Sequence, residues 1–152
     1  MDTTTIITNT IAEIFSHMGF SDDVLAVEPF QGMMSRFNVR LRGEAHMLIG
    51  EDGNHLIALE HLIKRIIRNR HNEEYKFTLD INDFRIHRLE DLKQEVKTAA
   101  KKVRTYQEPV SLRPMSSFER RIVHLLLAEY PDIMTESTGL DPDRKVTIKP
   151  YG

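Results

Sequence analysis

The stretch Gly50-Glu51-Asp52-Gly53 constrains this chain more than any other. Met47-Leu48-Ile49 leads into it, and Leu56, Ile57, Leu59, Leu62, Ile63, Ile66 and Ile67 follow at spacings of three and four. Those spacings mark one face of an amphipathic helix. Two glycines bound the short loop, so its backbone can approach something bulky with no Cβ in the way. The first amides of the helix lie just beyond, unpaired and partly positive. Such a loop suits a phosphate. The same residues also read as a tight turn before a core helix.

The flanking segments define the layer around this loop. Residues 3–18 predict a helix, with Ile7, Ile11, Ile14, Phe15 and Met18 on one face and Gly19 as its stop. Residues 24–30 predict a strand and residues 31–35 a turn. In residues 36–42, Phe37, Val39 and Leu41 alternate with Arg36, Asn38, Arg40 and Arg42. The apolar set points inward. The polar set forms either a solvated sheet face or a basic surface. Residues 44–49 allow a short helix, and residues 54–70 the main one, with Asp52 or Asn54 to cap its start. Lys64, Arg65, Arg68 and Arg70 crowd its end, the charge order that the helix dipole favours. Residues 76–81 alternate again as a third strand.

The predicted order is α-β-β-α-α-β, an α+β layer. It resembles the bacterial, type II KH domain, which carries its Gly-x-x-Gly between the second and third helices. Leu48-Ile49-Gly50, Gly53 and the apolar residues 56–62 carry the resemblance. It implies a three-stranded sheet with helices on one face. It also implies a loop that clamps single-stranded RNA or DNA by the backbone, beside an apolar groove for bases. The loop departs from that family, whose two middle residues are usually basic or small. At ~6 Å and an effective dielectric near 20, Glu51 and Asp52 would each oppose a phosphate by about 3 kcal/mol. Gly50, Glu51, Asp52 and Gly53 are therefore candidate nucleic-acid residues whose clamp is weakened by its own charge.

The character changes after residue 83. Leu89, Leu92, Val96, Ala99, Val103 and Tyr106 step by three and four along residues 83–106, a heptad seam. The seam either packs along its own protein or pairs with a second chain. Glu108-Pro109 breaks the helix. Ser116 and Glu119 fit a capping box. The helix they open runs to about Glu129, with Ile122, Val123, Leu126 and Leu127 as its apolar side. Strands are expected over residues 133–137 and 145–149, with a polar turn between. The predicted domains are therefore 1–83, a connecting helix over 84–107, and a small α+β domain over 108–152.

Arg120 and His124 are four apart and share a helix face, with Arg121 adjacent. A guanidinium offers a planar fork to a phosphate, and an imidazole beside it can donate a hydrogen bond or stack on a base. By spacing alone, a surface pair or a packed histidine fits equally. Glu119-Arg120-Arg121-Ile122-Val123-His124, Pro131-Asp132, Thr135-Glu136-Ser137-x-Gly139 and Arg144-Lys145-Val146-x-Ile148 resemble the domain named for its Arg-x-x-x-His signature. That resemblance implies single-stranded nucleic-acid binding, with Arg120 and His124 on the signature positions and Arg144 and Lys145 as basic residues leading into the last strand.

The two resemblances in this order are those of the bacterial Jag (KhpB-like) proteins. The family implies cytoplasmic RNA binding, post-transcriptional regulation, a link to cell-envelope growth or division, and in some members a small single-KH protein partner. Many members carry a further N-terminal domain; this chain starts at the first KH helix. The expected ligand is single-stranded RNA, with single-stranded DNA or a second copy of the chain as further partners.

Charge adds one constraint. Residues 1–83 carry 8 Lys and Arg against 13 Asp and Glu, and residues 84–152 carry 13 against 10. Bulk charge does not announce a nucleic-acid ligand, so local patches must supply it. The acidic first half, the acidic loop and the heptad seam also permit a protein-interaction or dimerisation module. Seven histidines show no metal-ligand spacing, and neither a P-loop nor Gly-x-Ser-x-Gly is present. No enzymatic activity, metal or cofactor is expected. With no cysteine, no signal peptide and no apolar run of the ~20 residues that span a bilayer, no membrane insertion is expected and the cytoplasm is the default.

Overall fold

The computed structural model describes residues 2–43 and 45–151 of the chain. They form a mixed α+β structure in two compact units, Met1–Ile86 and His87–Gly152.

The first unit begins with α1 (Thr3–His17), whose N-cap Asp2 accepts the Thr5 amide at 2.8 Å. Strands β1 (Val24–Phe30) and β2 (Ser35–Leu41) form an antiparallel hairpin. Helices α2 (His46–Ile49) and α3 (Asn54–His71) then carry the chain to β3 (Phe77–Ile81), which lies parallel to β2. Glu44, the first residue of the expected short helix, lies outside the described residues. The sheet order is β1-β2-β3. Phe37, Val39, Phe77, Leu79 and Ile81 form a buried core with Ile7, Ile11 and Phe15 of α1 and Leu56, Leu59, Ile63 and Ile67 of α3. Both long helices thus cover one face of the sheet. Phe37 and Phe77 meet edge to face, 5.5 Å between ring centres.

The opposite face is not the basic surface that the alternation of β2 allows. Asn38 and Asp80 are fully buried there. Arg36 lies 3.4 Å from Asp80 and 3.1 Å from Asp83, and Arg40 lies 2.8 Å from Glu28 and 3.1 Å from Asp83. Asn38 donates to Glu28 and accepts the Asp83 amide, both at 3.0 Å. Asn38 and Arg40 hold the Glu28 carboxyl below its ordinary range. The strand's arginines therefore neutralise internal acids rather than present charge to a ligand. The cations at the end of α3 are engaged likewise: Lys64 with Glu60 at 3.1 Å, Arg68 with Glu74 at 3.0 Å and Arg70 with Glu13 at 2.6 Å.

Helix α4 (Phe84–Tyr106) supplies Leu92, Val96, Ala99, Ala100 and Val103 to the second core. Its seam is packed within its own chain through those residues, while Tyr106 at the end is exposed. Strand β4 (Val110–Ser111), helix α5 (Ser117–Leu127) and strands β5 (Ile133–Thr138) and β6 (Lys145–Pro150) complete the unit. All pairings are antiparallel, in the order β4-β6-β5. The capping box is formed: Ser116 Oγ accepts the Glu119 amide at 3.2 Å. Val123 and Leu127 of α5 join Ile133, Val146 and Ile148 in the core. No described helix is long and apolar enough to cross a membrane.

Candidate nucleic-acid interface

Helix α5 positions Arg120 and His124 one turn apart on the side that meets β5 and the 139–143 turn. Arg120 is only 8% exposed. Its Nη1 donates to the Met115 carbonyl at 2.8 Å and reaches Asp141 Oδ1 at 3.5 Å. Asp141 is 79% exposed, so this second contact is long and open to water. A phosphate at the Asp141 position could take the guanidinium with better geometry than the carboxylate has.

His124 is half-buried. Its Nδ1 shares a 2.6 Å hydrogen bond with Thr135 Oγ1, and its Nε2 a 2.9 Å bond with Ser137 Oγ. A hydroxyl can donate or accept, so the pair satisfies the ring in either tautomer. The free donor expected from the sequence is therefore already engaged, and the imidazole ties α5 to β5 while bringing the two hydroxyls to the same spot. Thr135 and Ser137 are candidates that the helix spacing alone does not reveal. Their signal in the sequence is two hydroxyl residues two apart, hence on one face of a predicted strand.

Arg144 joins the same end of the unit. Its Nη1 donates to the Gly139 carbonyl at 3.4 Å, and its own carbonyl accepts the Met115 amide at 3.2 Å. Met115 thus links Arg120 to Arg144 through its own backbone, carbonyl to one and amide to the other. Lys145 follows at the start of β6, paired in register with Thr138, and is half-buried. Arg121 is exposed on α5. The structure therefore gathers Arg120 and Arg144 around Met115, with His124 one turn along α5 and Arg121 and Lys145 as chain neighbours.

The Gly-x-x-Gly loop is built differently from its expectation. Gly50 has φ 74° and ψ 176°, Asp52 φ 55° and Gly53 φ 81°. A Cβ at Gly50 would lie 2.6 Å from the His55 ring, and one at Gly53 would lie 3.0 Å from the Phe84 ring. The bulky groups that the glycines admit are thus side chains of this chain. His55 Nδ1–H donates to the Met47 carbonyl at 2.7 Å, which fixes the ring over the loop. Neither Asp52 nor Asn54 caps α3: its N-cap is Gly53, without a side-chain hydrogen bond. Glu51 and Asp52 are both exposed. Gly50→Ala combines a backbone conformation that only glycine adopts readily with a clash, and is expected to cost about 3 kcal/mol in a urea melt.

Among the described residues, no group of three or more His, Asp or Glu is placed to hold a metal ion.

Residues 90–150 match the domain family named for its Arg-x-x-x-His signature. The chain is 32% identical over 139 residues to RNA-binding protein KhpB of Clostridium symbiosum, a match that covers 91% of this chain and 62% of that protein. It is 33% identical over 102 residues to RNA-binding protein KhpB of Lactiplantibacillus plantarum, covering 67% and 32%. It is 36% identical over 108 residues to the protein of the same name from Bacillus subtilis, covering 69% and 51%. The chain thus spans 62% of the length of the first of these relatives and 32% of the second. On these findings its C-terminal unit is similar to Arg-x-x-x-His domains, and the chain across most of its length is similar to proteins named RNA-binding protein KhpB.

Proposed function

We propose that this chain is a single-stranded RNA-binding protein of the Jag (KhpB-like) type, without enzymatic activity, and that the second unit supplies the stronger site. The observation that carries this reading is the Arg120–Met115–Arg144 linkage beside the His124–Thr135–Ser137 cluster, within residues similar to an Arg-x-x-x-His domain. The names of the relatives support RNA as the ligand. Arg120, Arg121, Arg144 and Lys145 take phosphates, and His124 with its two hydroxyls takes a base or a sugar. In this reading residues 1–83 are a type II KH module, residues 84–107 the helix that leads into the second module, and residues 108–152 the rest of the Arg-x-x-x-His domain. A cytoplasmic, post-transcriptional role tied to envelope growth or division belongs to the same reading, as does pairing with a small single-KH protein.

The loop geometry favours a second reading for the first unit alone, as a pairing surface that no longer grips RNA, because His55 and Phe84 occupy the approach to both glycines. Reversing the loop charge separates the two. Glu51→Lys with Asp52→Arg should tighten RNA binding several-fold if the loop faces nucleic acid; unchanged affinity assigns the loop to the pairing role. The overall proposal is tested by fluorescence anisotropy with pooled short RNAs at several salt concentrations. Single strands should bind more tightly than duplex, with affinity falling as salt rises. If no RNA binds, a protein-interaction module becomes the better reading.

A further inference from the structure

Phe118 stands out on α5. It is 70% exposed, in the first turn of a helix whose other large apolar residues are mostly buried or half-buried. At about 100° per residue, His124, Ser117, Arg121, Leu125 and Phe118 follow one another around the helix from the β5 side to solvent. Phe118 and Arg121 are three apart and so neighbours on the surface. Arg121 has no ion-pair partner among the described residues. The nearest acid on the helix, Glu119, is taken by Arg88 at 3.2 Å and Arg113 at 3.4 Å. Met115, three residues before Phe118, holds the Arg144 carbonyl and the Arg120 guanidinium. An open aromatic face therefore sits at the rim of a group of cations. A duplex keeps its base faces stacked inside, whereas a single strand can offer one to such a ring.

We propose that Phe118 is the stacking platform for one unpaired base of a single strand, with Arg121 on the adjoining phosphate. This rests on the RNA-binding reading above and deepens it, because it names what makes the site prefer single strands. Leu125, 66% exposed on the same arc, extends the apolar side of the platform.

The chain has no tryptophan, so Phe118→Trp introduces a single reporter. Titration with a pooled single-stranded RNA should quench that fluorescence as the RNA binds. Phe118→Leu, which keeps an apolar side chain but removes the ring, should weaken binding about tenfold. An RNA strand carrying abasic sites should bind wild type and Phe118→Leu equally. Binding by wild type with no quenching and no loss in Phe118→Leu would overturn the platform and leave RNA binding standing. So would an affinity loss that is the same for abasic and base-bearing strands. Absence of RNA binding by wild type would remove both proposals together.

Discussion

Asp80→Ala is expected to destabilise the first unit by about 3–5 kcal/mol, the usual result of breaking a buried ionic group on one side. Asp80 is fully buried on the face of the sheet away from the helices. Its carboxylate accepts the Ile81 amide at 2.8 Å and the Arg85 amide at 3.1 Å and 3.3 Å, in the first turn of α4, and it pairs with Arg36 at 3.4 Å. Alanine leaves two amides without their acceptor and Arg36 with Asp83 alone. Each orphaned donor costs on the order of 1–3 kcal/mol. Burial pushes the Asp80 carboxyl above its ordinary range, against the pull of the two amides and Arg36. A raised folded-state pKa adds stability that is complete below the unfolded value and is lost as pH rises through the folded one. The gap between wild type and Asp80→Ala in chemical denaturation should therefore be wider near pH 4 than at pH 7. A gap that widens towards neutral pH would mean that the amides and Arg36 outweigh burial.

Arg120→Ala with His124→Ala should lower affinity for single-stranded RNA at least a hundredfold. Hydrogen bonds to charged groups contribute about 1.5–3 kcal/mol each, and two of them exceed the roughly 2.7 kcal/mol that a hundredfold loss represents. The variant also loses the contacts that hold Met115, Thr135 and Ser137 in place, so part of the effect is positional. A thermal melt of the same variant separates the two contributions. Folding retained with binding lost marks the pair as the centre of the site. Full affinity with a lowered melting temperature would make Arg120 and His124 bracing residues only.

Much of this architecture can be read from local pattern. The alternation in residues 36–42 and 76–81 and the three-and-four spacing in residues 54–70 place strands and helix within a residue or two of those observed. The Ser116–Glu119 box marks the start of α5 because its donors and acceptors are local. What pattern does not carry is the fate of the polar face of β2. Alternation says only that Arg36, Asn38 and Arg40 point away from the core. It cannot say that Asp80 and Asp83, more than forty residues on, arrive beside them. The loop shows the same limit. Two glycines announce a close approach, but that the approaching groups are His55 and Phe84 depends on how α3 and α4 begin. At Arg120 and His124 the helical spacing holds, while the occupancy of their polar atoms by Met115, Thr135 and Ser137 is out of reach of spacing alone.

The most direct measurement is an amide-resolved NMR titration of the full chain with a short pooled single-stranded RNA. Shifts centred on residues 115–124 and 135–145, with little change over residues 50–54, are expected if the second unit holds the site. Shifts confined to residues 50–54 and the start of α3 would contradict it and return the ligand to the Gly-x-x-Gly loop.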